Sequence, residues 1–219
     1  GCDLMGVLIG ENDMYTDFGM ILTDLSLEMP EVKTKYQALP LENGSIDLSE
    51  VVTGRPVYGL RTLKLTFKRR GASASEWLSV CSQIASAVHG KRLPITLPDD
   101  PDHYYLGRIA CAPGVKEYGA GTFEITATCD PYKYAQAESS AVCGAGTTSI
   151  INSGDEIVSP TFAASETGMT VALNGGAAYS IAQVGKAVKI PELLLLPGAN
   201  NVSVTGTGNV VLTWREGVL

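Results

Sequence analysis

The sequence predicts a mainly β fold that contains one helix and is divided into two domains. Short segments in which apolar and polar residues alternate occur along the chain, and 24 glycines among 219 residues indicate many turns. Helical spacing of apolar residues occurs in one segment, between Ser73 and His89. After Tyr134 small uncharged residues dominate, which predicts a boundary between a domain of residues 1–134 and a domain of residues 135–219.

The charge distribution argues against a nucleic-acid-binding protein. The net charge is −7, with 13 basic and 17 acidic residues through Tyr134 and 3 and 6 beyond it. Proteins that bind phosphates carry clustered positive charge, and the basic cluster Lys68-Arg69-Arg70 is expected to be a solvated strand end. We recognise neither a signal peptide nor an apolar run long enough to cross a membrane, so no membrane contact is expected.

The first elements are predicted to be a strand and a hairpin. Residues Met20 to Met29 alternate as a half-buried strand, with Leu25 and Leu27 inward, and a second extended stretch runs from Val32 to Leu41. Asn43-Gly44 favours a tight turn that leads back along Ser45 to Leu48. The hairpin is rich in charge and poor in core residues, which fits both an ordinary exposed hairpin and an arm that reaches a neighbouring subunit.

The clearest strand is followed by the helix. From Arg61 to Arg69, Leu63, Leu65 and Phe67 point to one side and polar residues to the other. Ser73 and Glu76 form a capping box that begins the helix, and His89-Gly90 ends it. Its inward residues are Trp77, Cys81, Ile84 and Val88, flanked by Leu78 and Ala85, and its nearly uncharged outer residues are Ser79, Ser82, Gln83 and Ser86. Packing against another chain and simple tolerance of small residues both explain that outer face.

Three further strands complete the first domain. Leu93 to Leu97 is a short strand, followed by a turn at Asp99 to Asp102. Tyr104 to Cys111 and Thr122 to Cys129 are expected to pair, joined by a loop through Pro113-Gly114 and residues 119–121. In the second strand of the pair, the residues expected to face inward are Phe123, Ile125, Ala127 and Cys129.

The second domain is predicted to be a small β-sandwich of short strands. The expected strands are Ile150-Ile151, Thr161 to Ala163, Thr170 to Leu173, Ala187 to Ile190, Val202 to Val204 and Val210 to Trp214. Turns are expected at Asn174-Gly175 and Pro197-Gly198. Trp214 is in phase with Val210 and Leu212, so it is expected to be a core residue rather than an exposed platform for a sugar.

No pattern of catalytic or ligand-binding residues is convincing, so no enzyme, metal or cofactor is predicted. The five cysteines, at positions 2, 81, 111, 129 and 143, contain no C-x-x-C pair. The one cluster of metal-binding residue types, at Asp99, Asp100, Asp102 and His103, lacks the spacing of a calcium loop and is expected to be a structural turn. The two histidines accompany no nucleophile motif.

Four sequence stretches resemble the distal tail protein family of long-tailed, siphovirus-type bacteriophages. They are Asp17-Phe18-Gly19, Asn43-Gly44-Ser45-Ile46-Asp47, Leu97-Pro98-Asp99-Asp100-Pro101-Asp102 and Cys129-Asp130-Pro131-Tyr132-Lys133-Tyr134. The resemblance is specific over residues 14–134, whereas the second domain agrees only in size and strand content. It implies a tail-tube-like β-sandwich with one helix and an extended β-hairpin, followed by a galectin-like β-sandwich.

The resemblance also implies an assembly role in the virion. Six copies would close into a ring at the distal end of the tail, assembled in the host cytoplasm, with DNA passing through the lumen without specific binding. The implied partners are the major tail tube protein, the tail-tip hub protein, the tape measure protein and receptor-binding or fibre proteins. The candidate subunit-interface residues are Lys35, Tyr36, Leu39, Leu41, Asn43, Ile46, Leu48, Val57, Tyr58, Arg61, Ser79 and Gln83.

The sequence leaves two alternative functions open. One is a carbohydrate-binding β-sandwich module for adhesion to the host surface, which would expose an aromatic side chain. The other is a tail-tube subunit decorated with an extra domain.

Overall fold

A computed structural model describes residues 6–39, 43–117 and 119–219, except for the side chains of residues 115 and 117. The chain forms two compact units, Gly1–Pro131 and Tyr132–Leu219. Strands predominate in the described residues and α1 is the single helix among them, so the predicted mainly β fold with one helix is confirmed.

The first unit is built on one main sheet and a small separate ribbon. The elements are β1 (Leu8–Ile9), β2 (Asn12–Asp13), β3 (Ile21–Leu27), β4 (Tyr36–Ala38), β5 (Ser45–Asp47), β6 (Arg61–Arg70), α1 (Ala74–Val88), β7 (Arg92–Leu97), β8 (Asp100–Glu117) and β9 (Ala120–Ala135). In the main sheet the strand order is β2-β1-β7-β8-β9-β6-β3, whereas β4 and β5 pair only with each other.

The core of this unit follows from the alternation in β6 and β9. These strands are antiparallel, and Phe67 is paired with Phe123. Their side chains are fully buried, as predicted for both strands. Because successive side chains point to opposite faces, this register places every second residue of both strands in the same core.

Helix α1 covers that core and begins and ends where the sequence predicts. The Ser73 side chain accepts a hydrogen bond from the Glu76 amide, and the Glu76 carboxylate accepts one from the Ser73 amide. Gly90 has a φ of +74°, which suits the residue that follows the C-cap. Trp77 packs directly on Gly121 of β9, where an added Cβ would lie 2.5 Å from the indole ring. The close approach of helix and sheet therefore depends on this glycine.

Three predictions for the first unit are wrong in detail. β3 forms, but it is an edge strand with a bulge between Leu22 and Asp24, so Leu25 is exposed rather than half-buried. The turn predicted at Asp99 to Asp102 is shorter, because Leu97 pairs with Asp100 and β8 begins there.

Pro113-Gly114 lies inside β8 rather than in a loop. A Cβ at Gly114 would lie 2.7 Å from the Thr122 carbonyl oxygen, so the glycine allows β9 to pass closely.

The second unit is built on one curled sheet. Its elements are β10 (Ser139–Asn152), β11 (Thr161–Ala164), β12 (Thr170–Leu173), β13 (Tyr179–Ser180), β14 (Val188–Lys189), β15 (Gly198–Trp214) and β16 (Gly217–Val218). The strand order is β13-β12-β15-β11-β14, with β10 along β15, while β16 pairs with Lys133 and Tyr134 at the end of β9.

The long β10–β15 pair corrects the prediction of short strands. Ile150-Ile151 is the end of a 14-residue strand, and the two predicted strands Val202–Val204 and Val210–Trp214 are halves of the 17-residue β15. Gly206 between the halves has a φ of +108°, which lets β15 change course. Val202 and Leu212 from the two halves are both fully buried in the same core.

Candidate functional site

The segment Glu31–Leu60, here called the arm, has no core of its own. The structure describes all residues of the arm except 40–42, and none of the described residues is buried. At its base Val32 pairs with Tyr58, and the Gly59 amide donates to the Glu31 carbonyl at 2.7 Å. The arm is therefore held by backbone hydrogen bonds rather than by the apolar burial that holds the rest of the unit.

The ribbon of β4 and β5 extends from this base. Tyr36 pairs with Asp47 and Ala38 with Ser45. The tight turn predicted at Asn43-Gly44 is therefore wrong. A two-residue turn there would place Ser45 opposite residue 42 rather than opposite Ala38. Gly44 has a φ of +104°.

Asp47 stabilises the turn at the end of β5. Its carboxylate accepts hydrogen bonds from the Ser49 hydroxyl and, at 2.9 Å, from the Ser49 amide. These bonds favour the charged form and lower the pKa of Asp47 below its ordinary value. The Ser49 hydroxyl also accepts from the Lys35 amide at 2.8 Å, which ties the turn to the opposite strand.

A compact turn follows, which we call the valine loop (residues 49–54). The Val51 amide donates to the Leu48 carbonyl at 3.3 Å, and the Gly54 amide donates to the Glu50 carbonyl at 2.7 Å. These bonds hold Val51 and Val52 outward, with 72% and 95% of their surfaces exposed. Adjacent aliphatic residues displayed in this way are a potential contact surface.

An open cleft of about 630 Å³ lies in the same unit and is here called the basal cleft. Its lining residues are Leu60, His89, Gly90, Arg92, Arg108, Ile109, Ala110, Thr128 and Asp130. Arg92 pairs with Asp130 at 2.5 Å. Arg108 donates only to the Gly90 carbonyl, at 2.7 Å, and pairs with no carboxylate among the described residues. The cleft thus combines an apolar wall with one unneutralised guanidinium.

The outer side of α1 is a second exposed surface, as predicted. Ser79 and Gln83 are exposed and share a hydrogen bond of 3.3 Å. Leu78 was expected to flank the buried face of the helix, but it is 67% exposed. This side of the helix therefore presents an aliphatic residue among uncharged polar ones.

Apart from Ser79 and Gln83 on α1, the predicted interface residues fall into three groups in the structure. On the arm, the exposed or half-buried ones are Lys35, Tyr36, Leu39, Asn43, Ile46, Leu48, Val57 and Tyr58. Leu41 lies outside the described residues. Arg61 is 2% exposed, with its guanidinium 5.6 Å from the centre of the Tyr105 ring, and so belongs to the interior of the unit.

Sequence reasoning missed the most exposed apolar residues of the arm. Val51 and Val52 were not selected, although two adjacent β-branched residues directly before Thr53-Gly54 were a usable signal. Leu60 is 60% exposed and was also missed. Arg108 could not have been found from sequence, because its isolation from carboxylates depends on tertiary structure.

The residues considered for chemistry are the acidic cluster with His103 and the cysteines. Asp100 and His103 lie 2.7 Å apart at the start of β8. No group of three or more potential metal ligands was found among the described residues. Burial raises the pKa of Cys111 and of Cys129 to about 11, with Asp130 also contributing at Cys129, so both thiols are poor nucleophiles at neutral pH.

In the second unit, the one tryptophan is buried. Trp214 is 7% exposed and lies in the core of the curled sheet, as predicted. Glu216 accepts hydrogen bonds from the Ser139 hydroxyl and the Ser153 amide, both at 3.2 Å. This pair therefore offers no stacking platform for a sugar.

In the part of the chain that the structure describes, no helix is long and apolar enough to span a membrane.

Comparison with known proteins identifies the fold. No protein-family model matches the sequence, and no curated protein is significantly similar to it. Seven solved chains match. One is the Dit protein (gp 19.1) of phage SPP1, described as a paradigm of the hub adsorption apparatus in phages that infect Gram-positive bacteria. With 15% sequence identity, the TM-score is 0.75, and 98% of this chain and 99% of that chain are covered. The fold resemblance to distal tail proteins is thereby confirmed.

Proposed function

We propose that this chain is a distal tail protein, a structural component of the phage tail tip. The observation that carries this proposal is the fold match to a phage hub protein over nearly the whole of both chains. The match includes both units, which favours this function over that of a decorated tail-tube subunit.

The proposal includes a homo-hexameric ring formed by the first unit. The arm supports it, because a segment of 30 residues with no described buried residue gains stability from contacts outside its own chain. A closed ring requires a heterologous interface, in which two different surfaces of each copy meet. The arm is one such surface, and the outer side of α1 is a candidate for another contact.

In this proposal the ring joins the major tail tube protein to the hub protein of the tip. The tape measure protein and receptor-binding or fibre proteins are further partners. The ring acts in the virion after assembly in the host cytoplasm. DNA passes through the lumen unbound, in keeping with the net charge of −7.

We propose no catalytic function and no cofactor for the chain. The carbohydrate-binding alternative loses its main support, because Trp214 is a core residue. No observation in the described residues favours a second function.

Native mass spectrometry and negative-stain electron microscopy of the purified chain test the ring. The expected mass is six times the 23.1 kDa of one chain, in particles with a central opening. A variant in which residues 33–57 are replaced by a two-residue turn should remain folded and become monomeric. A wild-type chain that stays monomeric at every concentration, and on addition of the tube or hub protein, would contradict the proposed function.

A further inference from the structure

We infer that the valine loop of one copy docks in the basal cleft of the next copy, with Glu50 paired to Arg108. The inference rests on the proposed ring and names the contact that joins its copies. It commits the cleft to one occupant, a second copy of this chain.

The valine loop has the properties of a preformed contact. Its two backbone hydrogen bonds hold it in one compact turn, so little conformational entropy is lost when it binds. Val52 is 95% exposed, and no residue of the loop lines the cleft of its own chain. Its apolar surface is available to a second molecule.

The basal cleft offers a matching apolar surface. Leu60 and Ala110 line it with exposed apolar side chains, whereas Ile109, which also borders it, is a core residue. The volume of about 630 Å³ can receive two valine side chains. Leu60 is 60% exposed at the end of the arm, so an occupant would cover it. Burial of aliphatic surface on both sides would favour association.

The charges of the two surfaces are complementary. Two arginines line the cleft. Arg92 is neutralised by Asp130, whereas Arg108 is paired with no carboxylate among the described residues. Glu50 is exposed, directly precedes the two valines, and makes no side-chain hydrogen bond or ion pair with any described residue. In the proposed contact, the Glu50 carboxylate, next to the two valines of one copy, therefore meets the Arg108 guanidinium, next to the apolar residues of the cleft in the other copy. A charge-assisted hydrogen bond between them would set the orientation of the loop.

The two surfaces lie on different parts of the same unit, so the contact is heterologous. Each copy can offer its loop to one neighbour and its cleft to another. Such a contact repeats from copy to copy and closes when the rotation fits, as a ring requires.

A charge swap and an apolar disruption test the contact, with the oligomer dissociation constant measured by sedimentation equilibrium. Glu50→Arg and Arg108→Glu should each raise that constant at least about tenfold, and the double variant should restore most of the loss. Val52→Asp should raise it by at least about tenfold as well. Circular dichroism melting checks that every variant is folded, and Glu50→Arg changes only an exposed loop side chain.

Matched controls come from the second unit. Val142→Asp changes a valine that is 64% exposed, and Glu192→Arg reverses an exposed carboxylate; neither should alter the dissociation constant. Intact rings in Val52→Asp and in both charge reversals would overturn this contact but leave the proposed ring standing. If the double variant does not lower the dissociation constant below that of the single reversals, the contact would also be overturned, and the cleft would have another occupant. A monomeric wild type would contradict the ring and the contact together.

Discussion

Strand β6 and the arm follow one another in the chain, yet they are stabilised in different ways. In β6, Leu63, Leu65 and Phe67 are at most 1% exposed, each paired with a residue of β9. In the arm, no described residue is buried, and Tyr36 and Val52 are 61% and 95% exposed. The apolar side chains of β6 are buried within its own unit, whereas the arm exposes apolar side chains to water.

This difference separates residues that stabilise the isolated chain from residues that are expected to act in the proposed assembly. A core residue stabilises the isolated chain, so its loss should be visible in the unfolding of one molecule. An exposed apolar residue contributes little to that equilibrium, and its energetic effect appears only when another surface covers it. Substitutions in the two regions should therefore affect different measurements.

The largest expected effect on stability is that of Phe67→Ala. The side chain is fully buried, so we expect a loss of about 3–5 kcal/mol in the free energy of unfolding of the first unit. Val52→Ala should change that free energy by less than about 0.5 kcal/mol. Urea titration followed by Trp77 fluorescence, in a Trp214→Phe background, measures both. Similar losses for the two variants would remove the contrast between core and arm.

Gly121→Ala tests the packing of α1 on the sheet and should cause a smaller loss in the free energy of unfolding. The added methyl group would lie 2.5 Å from the Trp77 ring, so the helix must shift, at a cost of about 1–3 kcal/mol. The same urea titration measures it, and the Trp77 emission should shift as its packing loosens. An unchanged free energy and emission spectrum would show that α1 does not rest on this glycine.

Ser73→Ala should cost about 1 kcal/mol, because it removes one half of the capping box of α1. Ser79→Ala is its matched control, since Ser79 lies on the outer side of the same helix and alanine is the better helix former. Thermal unfolding of the two variants should therefore differ in direction. Equal destabilisation would mean that the cap is not the source of the effect.

The smallest expected effect is a local pH dependence of the arm. The Ser49 hydrogen bonds lower the pKa of Asp47, so their contribution is complete above its ordinary value of 3.8 and is lost as the pH falls through the lowered value. An NMR titration of the Asp47 carboxyl should show a midpoint below 3.8. Ser49→Ala should return that midpoint toward the ordinary value. A midpoint that does not respond to Ser49→Ala would contradict the described turn.

Two Asn-Gly pairs show how far local signals determine structure. At Asn174-Gly175 both residues have positive φ, 51° and 75°, and the predicted turn forms. At Asn43-Gly44 the predicted tight turn does not form, because Ser45 pairs with Ala38. The first pair follows a strand whose neighbours are fixed by a core, whereas the second lies in the arm, where no buried face sets the register.

Strands made of small residues were the main failure of the sequence reasoning. β10 consists largely of Ser, Ala, Gly and Thr, of which only Thr favours strands, and only its end at Ile150-Ile151 was predicted. Its extent is set by pairing with the distant strand β15, from Ser139 opposite Trp214 to Asn152 opposite Gly198. By contrast, α1 was predicted with both ends correct because its capping box and apolar spacing are local.

The candidate site was only partly accessible from sequence. Composition identified the arm as poor in core residues, and Tyr36 and Ile46 lie exposed on it. Arg61 continues the inward phase of β6 with Leu63, so the alternation in the sequence already indicated its burial. The basal cleft combines residues from four separate stretches of the chain, and only tertiary structure brings them together.

The most direct test of the central claim is hydrogen–deuterium exchange of residues 31–60 in the same protein before and after assembly. The arm amides should exchange rapidly in the dissociated chain and should be protected in the ring, while the β6 amides stay protected in both. An arm that is strongly protected in a demonstrated monomer, or that exchanges rapidly within an intact ring, would contradict the account.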